Sequence, residues 1–262
     1  MRITTWNVNS IRARKDRALA WLDRVQPDLV CLQELKCTDD VFPREPFEAK
    51  GYQIATYGQK TYNGVGLLSR ASLQDVAQVH PLPDDPAARG IAATIDGVRV
   101  IDLYVPNGKE VGSESYAYKL RWLDGLATWL RERHRPDEPL LICGDFNIAP
   151  DDRDVYDPEA WREQVLCSTP ERDALRVLID WGLTDALRHF TDAPGLYTWW
   201  DFKTFGFQRK QGLRIDHFLV TAPVLARAQG VDIDIDERRG DKKDAEKPSD
   251  HAPVSLTLGA AS

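Results

Sequence analysis

Leu140-Leu-Ile-Cys-Gly-Asp145-Phe-Asn147 is an apolar run that halts at a glycine, then offers a carboxylate and a carboxamide two residues apart. Four apolar residues after the turn-forming Arg135-Pro136-Asp137-Glu138-Pro139 read as a short buried strand. Side chains alternate faces along a strand, so continued extension points Asp145 and Asn147 the same way. A carboxylate beside a carboxamide at a strand's end suits water activation and the orientation of an anionic substrate. Taken alone, the octapeptide is more simply a turn that ends a strand. Its recurrence along the chain decides otherwise.

Ile3 to Trp6 is a strand ending at Asn7-Val-Asn9. The apolar spacing from Ile11 through Leu19, Trp21, Leu22 and Val25 predicts a helix with Ser10 as N-cap, stopped before Pro27. Asp28 to Leu32 is a second strand, ending at Gln33-Glu34, so the chain opens as a βαβ-like unit. Asp39 to Pro46 reads as a loop. Strands follow at Gln53–Tyr57, Val65–Ser69, Ile91–Ile95 and Val98–Tyr104, with Asp96-Gly97 a hairpin signal. A helix covers Ser115–Arg133, with Tyr116, Leu120, Leu123, Ala127 and Leu130 on one face. Downstream, Pro150–Pro158 is an acidic loop. Helices are expected at 159–166 and 171–181, extended chain at 184–190, an aromatic stretch at Tyr197–Phe202, and strands at 212–220, 232–236 and 252–258. These elements form an α/β class of fold, one domain over residues 1–262, with two packed sheets of mixed strands flanked by helices.

The chain has 262 residues and a net charge of −7, which argues mildly against a polyanion partner. Only a local basic footprint is needed to grip phosphates, and clusters stand at Arg12–Arg17, at Lys203–Arg214 and at Arg238-Arg239-Gly-Asp-Lys242-Lys243. No segment approaches the ~20 apolar residues of a membrane helix. No charged-then-apolar leader precedes the first strand, and the four cysteines lack C-x-x-C spacing. A cytoplasmic protein with reduced, mostly buried thiols and no zinc is expected.

Asn7, Glu34, Tyr104, Asp145 and Asn147 each follow an apolar strand, while Asp216, Asp250 and His251 lie near the start of one. If the latter strands run opposite to the former, all eight converge at one edge of the sheets. Glu34 and Asp250 supply anionic oxygens and Asn7 a neutral one, a set suited to a hard cation such as Mg²⁺. His251 beside Asp250, with Asp216 to hold its ring, suits phosphate contact or acid–base work.

Trp6-Asn-Val-Asn-Ser-Ile-Arg-Ala-Arg14, Leu32-Gln-Glu-Leu-Lys36, Tyr104-Val-Pro-Asn-Gly108, Gly144-Asp-Phe-Asn147, Gly212-Leu-Arg-Ile-Asp216 and Ser249-Asp-His-Ala-Pro-Val254 together resemble, in order, the motifs of the exonuclease III family. The resemblance implies a four-layered α/β sandwich like that of DNase I. It implies a Mg²⁺- or Mn²⁺-dependent nuclease acting on double-stranded DNA with abasic sites or blocked 3′ ends, and a monomer is expected. Cleavage 5′ to the abasic site, 3′→5′ exonuclease and 3′-end trimming are its activities. By the same resemblance Glu34 is the main metal ligand, supported by Asn7, Asp250 and the neighbouring Asp145, Asn147 and His251. Asp145 activates or orients the water, Asn147 positions the phosphate, His251 with Asp216 binds the scissile phosphate, and Tyr104 acts at the phosphate or leaving group. Asn9 and Arg12 fall on the DNA side, and Trp199, Leu213 and Ile215 fall where the family walls a pocket for the extruded sugar. Asn9 stands where eukaryotic relatives have an aspartate, and Leu213 where they have a tryptophan. The rival readings are a phosphodiesterase of the same fold acting on inositol phosphates or sphingolipids, and a non-catalytic DNA-binding module. The first leaves Ser10-Ile-Arg-Ala-Arg14 and Gly212-Leu-Arg-Ile-Asp216 unaccounted for, and against the second every expected metal ligand and His251 are present.

Overall fold

The structure, a computed structural model, describes residues 1–240 and 245–260. Lys242 and Lys243 of the third basic cluster lie outside those residues. The strands are β1 Arg2–Asn7, β2 Leu29–Gln33, β3 Gln53–Tyr57, β4 Val65–Ser69, β5 Gln74–Gln78, β6 Gly90–Ile95, β7 Val98–Tyr104, β8 Leu140–Asp145, β9 Thr184–Asp185, β10 Asp216–Val220, β11 Ala228–Ile233 and β12 Val254–Leu258. The helices are α1 Lys15–Val25, α2 Arg44–Glu48, α3 Glu114–Arg133, α4 Thr169–Asp180, α5 Ala186–Phe190, α6 Gly206–Arg209, α7 Ala222–Leu225 and α8 Ile235–Arg239. One sheet runs β11-β12-β1-β2-β4-β3 and the other β5-β6-β7-β8-β10-β9. Both mix parallel and antiparallel pairs.

Strand periodicity explains the layering. Along β2, Leu29 and Cys31 face the other sheet, while Val30 and Leu32 face α1 and α2. Along β8, Leu141 and Cys143 join the same inter-sheet core, and Leu140 and Ile142 pack under α3 and α4. Both faces of these strands are therefore covered, which is why they read as unbroken apolar runs. All four cysteines are buried and free. Among the described residues no helix is long and apolar enough to cross a membrane.

Several expected boundaries move. Ser10 does not cap α1: Asn9 and Ser10 take left-handed backbone, and the N–H groups of Ser10 and Ile11 donate to the carbonyls of Glu34 and Leu35. The helix starts at Lys15 instead. The 39–46 loop contains a 3-10 turn at Asp39–Val41 and the start of α2. Residues 159–166 form isolated turns, because Glu163 and Leu166 adopt positive φ and interrupt the helical ladder. At 184–190 only two residues are extended; Asp185 then caps α5, its Oδ1 accepting from the Leu187 N–H at 3.1 Å. Likewise Asp234 ends the 232–236 segment as a strand and caps α8, accepting from Glu237 at 3.2 Å. The exposed edge strand β5 had no apolar alternation to announce it.

One buried group yields a stability prediction. Asp102 on β7 is fully buried and accepts from Gln33 Nε2 at 2.6 Å. Burial pushes its carboxyl well above the usual range, against the opposing N–H donors of Gln33 and Gly66. A carboxyl whose folded value lies above its unfolded value contributes most at low pH. That contribution is lost at about 1.4 kcal/mol per pH unit above the unfolded value, until the folded group itself ionises. Asp102→Asn, an isostere of the neutral acid, is expected to gain in stability relative to the parent as pH rises. Urea unfolding of both proteins at about pH 4.5 and about pH 7 checks this. A difference that does not change with pH would mean that Asp102 is already ionised.

Candidate active site

The two sheets present their polar strand ends at one edge. In one sheet Tyr104, Asp145 and Asp216 stand side by side, since Asp145 is in register with Tyr104 of parallel β7 and with Asp216 of antiparallel β10. In the other, Asn7 pairs with Gln33, which places Glu34 one residue beyond the end of β2. Strand β12 runs antiparallel to β1, so Asp250 and His251, which precede β12, arrive at the same edge. The opposed strand directions required for convergence are present. Gly144 makes the β7–β8 approach possible: its φ is +139°, and a Cβ there would sit 1.9 Å from the Leu103 carbonyl oxygen.

Asn7 joins the sheets. Its Nδ2 donates to Glu34 Oε1 at 2.7 Å and to Asp145 Oδ2 at 2.9 Å. Its Oδ1 accepts from the Asn9 N–H at 3.0 Å. Asn9 Nδ2 in turn donates to Asp250 Oδ1 at 2.9 Å, and the Trp199 indole N–H donates to Asp250 Oδ2 at 3.1 Å. On the other side His251 Nδ1 lies 2.9 Å from Asp216 Oδ2, and its Nε2 is 3.7 Å from Asp145 Oδ2. Ser249 steadies this turn, donating to the Asn7 carbonyl at 2.6 Å and accepting from the His251 N–H at 3.2 Å. Asn147 donates its backbone N–H to Asp145 Oδ1 at 2.9 Å and its side-chain amide to the Val105 carbonyl at 3.0 Å.

These contacts set the charges. Burial, opposed by His251 and reinforced by Asp216, raises Asp145 to about 7. Burial works against the His251 imidazolium, but the carboxylates of Asp216, Asp145 and Asp250 more than offset it and lift the ring to about 10. Asp250 is also penalised by burial, yet His251 and the Asn9 and Trp199 donors hold it below the ordinary range. Tyr104 is pushed well above a free phenol by burial and by the nearby charges of Glu34 and Asp145, so its hydroxyl keeps its proton.

Glu34, Asp145 and His251 each offer an atom within 4.8 Å of the others, a group able to hold a metal ion. The donor chemistry fits a hard cation through the two carboxylates. An imidazolium has no free lone pair, so His251 is better placed to meet an anion than a metal. Asn7 presents its N–H₂ to the carboxylates, with its oxygen turned to Asn9. Asp250 faces Asn9 and Trp199, and the Asn147 side chain faces Val105 and Asn107, accepting from Asn107 Nδ2 at 2.8 Å. These three stand around the metal group and organise its surroundings.

The substrate-side residues divide. Arg12 is exposed and Trp199 half-buried. Leu213 and Ile215, expected on an open pocket wall, are 0% and 1% exposed, closed over by Val155, Leu166 and Cys167. Of these three, Trp199 alone keeps accessible surface.

Sequence reasoning missed Lys119. It is fully buried in α3, pairs with the fully buried Glu171, and donates to the Asn147 carbonyl at 2.6 Å and the Asn107 carbonyl at 3.1 Å. It thereby ties together the two loops that follow β7 and β8. Helical periodicity favours Leu120 over a lysine for the inner face, and Leu120 is only half-buried. The available signal was Ser168-Thr-Pro-Glu171, a capping-box pattern that fixes Glu171 at the start of α4.

Two packed mixed sheets carrying a carboxylate pair and a His–Asp dyad at one edge define a hydrolase of the DNase I-like phosphoesterase class. The endonuclease/exonuclease/phosphatase family model matches residues 4–251, and the chain belongs to that family. It is 34% identical to exodeoxyribonuclease III of Haemophilus influenzae over 97% of this chain and 98% of that one. It is 30% identical to an exodeoxyribonuclease of Bacillus subtilis over 98% and 99% of the two. Among solved structures, the Neisseria 3′ phosphatase NExo, bound to a product DNA hairpin, superposes with TM-score 0.93 at 44% identity, covering 99% of this chain and 100% of that one. An AP endonuclease of Archaeoglobus fulgidus gives 0.92 at 34% identity, covering the same shares of the two chains.

Proposed function

We propose that the chain is a DNA-repair nuclease that hydrolyses phosphoester bonds at blocked 3′ ends and 5′ to abasic sites in duplex DNA. It acts as one catalytic unit, a monomer in the cytoplasm, with Mg²⁺ as cofactor and Mn²⁺ able to substitute. The observation that carries this reading is the Asn7 amide holding Glu34 and Asp145 together across the two sheets, with the His251–Asp216 dyad against Asp145. The family and the named activities of the relatives support it.

Glu34 and Asp145 would hold the metal, which when bound neutralises charge on the phosphate. A water lying between Asp145 and phosphorus gives its proton to Asp145, whose raised value suits that task near neutral pH. As it does so the water oxygen bonds to phosphorus and the bond from phosphorus to the 3′ oxygen breaks, that oxygen leaving to take a proton from solvent. His251, charged and fixed by Asp216, binds a non-bridging phosphate oxygen. Tyr104 keeps its proton and donates a hydrogen bond to the phosphate, and Asn147 fixes the orientation of Asp145 through its backbone N–H. Asn9 and Trp199 hold Asp250, and Arg12 reaches the DNA backbone. Since Leu213 and Ile215 have no open surface, 3′-end removal is expected to outpace abasic cleavage.

The test uses three duplexes, one abasic, one blunt and one with a 3′-phosphate, with Mg²⁺ or with EDTA. All three are expected to be processed with the metal, the 3′-phosphate fastest, and none in EDTA. Affinity should fall by about 0.9 log units per neutralised phosphate for each log unit of salt. Full turnover in EDTA, or salt-independent binding, would overturn the reading.

A further inference from the structure

Behind Asp250 the surface opens into a groove of about 910 Å³ that the catalytic reading does not use. Phe202 and Phe205 line it at 40% and 65% exposure, large apolar surfaces for residues left facing water. Phe205 also takes left-handed backbone, φ +55°, an arrangement a bulky residue rarely adopts without a constraint or a use. Cations interleave with the rings: Arg14, Arg238, Arg239 and Lys247 share the lining. Arg238 lies over one face of Phe202, 4.8 Å from its centroid, and over Phe207 at 4.9 Å, which steadies both rings. Arg239 pairs with the exposed Asp236 at 3.0 Å, a contact that a phosphate readily replaces at a surface.

The groove's lining is hydrogen-bonded to the segment that carries Asp250. Arg238 Nε donates to the Asp250 carbonyl at 3.2 Å, and the Trp200 N–H donates to the same oxygen at 3.1 Å. Arg14 donates to the Asn9 carbonyl and, at 3.2 Å, to the Lys247 carbonyl. The rings and cations therefore flank the segment that holds Asp250 at the catalytic edge.

We propose that this groove binds an unpaired DNA strand running out of the duplex beside the scissile bond. Bases stack on Phe202 and Phe205, and phosphates lie against Arg239 and Lys247. This rests on the nuclease reading and adds a substrate class to it: duplexes frayed or extended at the processed end. Exposed aromatic faces with interleaved cations bind single strands without sequence preference, because every base has a π-face and every linkage a charge. A protein partner would need a broader apolar surface than two rings provide.

The experiment measures binding by fluorescence anisotropy in EDTA, so that no cleavage occurs. It compares a blunt duplex with duplexes carrying four unpaired thymidines at the 3′ or the 5′ side of one end. One of the extensions is expected to tighten Kd about five- to a hundredfold. Phe205→Ala and Phe205→Leu should both erase most of that gain. Phe205→Trp should keep it, and its added emission, relative to the parent, should be quenched by oligothymidylate. Retention of the gain in Phe205→Leu would mean apolar docking in place of stacking and would overturn the proposal. So would equal Kd values with and without either extension. Cleavage of the blunt duplex in Mg²⁺ by the parent protein separates the two readings. An inactive parent sinks the nuclease assignment, whereas an active parent indifferent to extensions sinks the groove alone.

Discussion

Asp145→Asn is expected to lower kcat at neutral pH by roughly 10²–10⁴-fold, the span over which a positioned proton acceptor contributes. The geometry argues for the upper part of that range. Asp145 sits between Asn7, the Asn147 backbone and His251, so no other carboxylate can take its place without moving a strand. An amide keeps one acceptor for the Asn147 N–H but turns its other group, now a donor, toward the Asn7 N–H₂ and the His251 ring. Some local loosening should follow, and unfolding curves for both proteins will size it. The pH profile carries a second signature. A proton acceptor must be ionised to work, so the parent's rate falls on the acid side as Asp145, which burial raises to about 7 in the metal-free site, takes up its proton. A bound cation favours the carboxylate and moves that limb lower. In the variant the limb should vanish. Single-turnover removal of a 3′-phosphate across pH is the measurement. A loss under tenfold, or an unchanged acid limb, would show that another group takes the proton.

The convergence of the site is legible in the sequence because it depends on strand ends. An apolar run that stops at Asn7, Glu34, Tyr104 or Asp145 marks where a strand leaves the core, and strand direction follows from whether the polar residue comes last or first. The β8–β10 pair is antiparallel, with Asp145 beside Asp216, as that reading required. The Asp96-Gly97 hairpin is legible for a different reason, since a tight turn between strands needs positive φ at both residues, and both have it. What stays hidden depends on neighbours distant in sequence. Ser10 looks like a cap, but the backbone of Glu34 and Leu35 captures that turn. Lys119 looks like an exposed position beside a helix stripe, and only the packing of α4 reveals the acid that neutralises it. Leu213 alternates as a strand residue should, yet whether its face is open depends on the 150–167 loop lying over it. Side-chain direction hides similarly: Asn7 is a plausible oxygen ligand by type, and only the folded chain shows its amide donating to two carboxylates.

That last contact leads to the metal. Glu34→Gln is expected to weaken divalent-cation binding by at least about a hundredfold, the upper end of what losing a partner outside the ligand set costs. Glu34 Oε1 and Asp145 Oδ2 accept from the same Asn7 nitrogen, so two negative groups are held close with one neutral donor between them. Lys36 balances Glu34 on its other oxygen at 2.8 Å. Such a site gains most from a small dication, which neutralises both carboxylates at once. Glutamine preserves shape and one oxygen but removes half of the local negative charge, so the cation loses its main attraction while the fold loses little. DNA should then bind as well or better, because repulsion toward the phosphate also falls. The variant thus separates two quantities that a general weakening would move together. Isothermal titration of Mn²⁺ into metal-free protein, paired with duplex binding in EDTA, gives both without reference to turnover. Unchanged Mn²⁺ affinity would place the metal elsewhere in the edge. Parallel losses of metal and DNA affinity would mean that Glu34 supports the site's structure more than its charge.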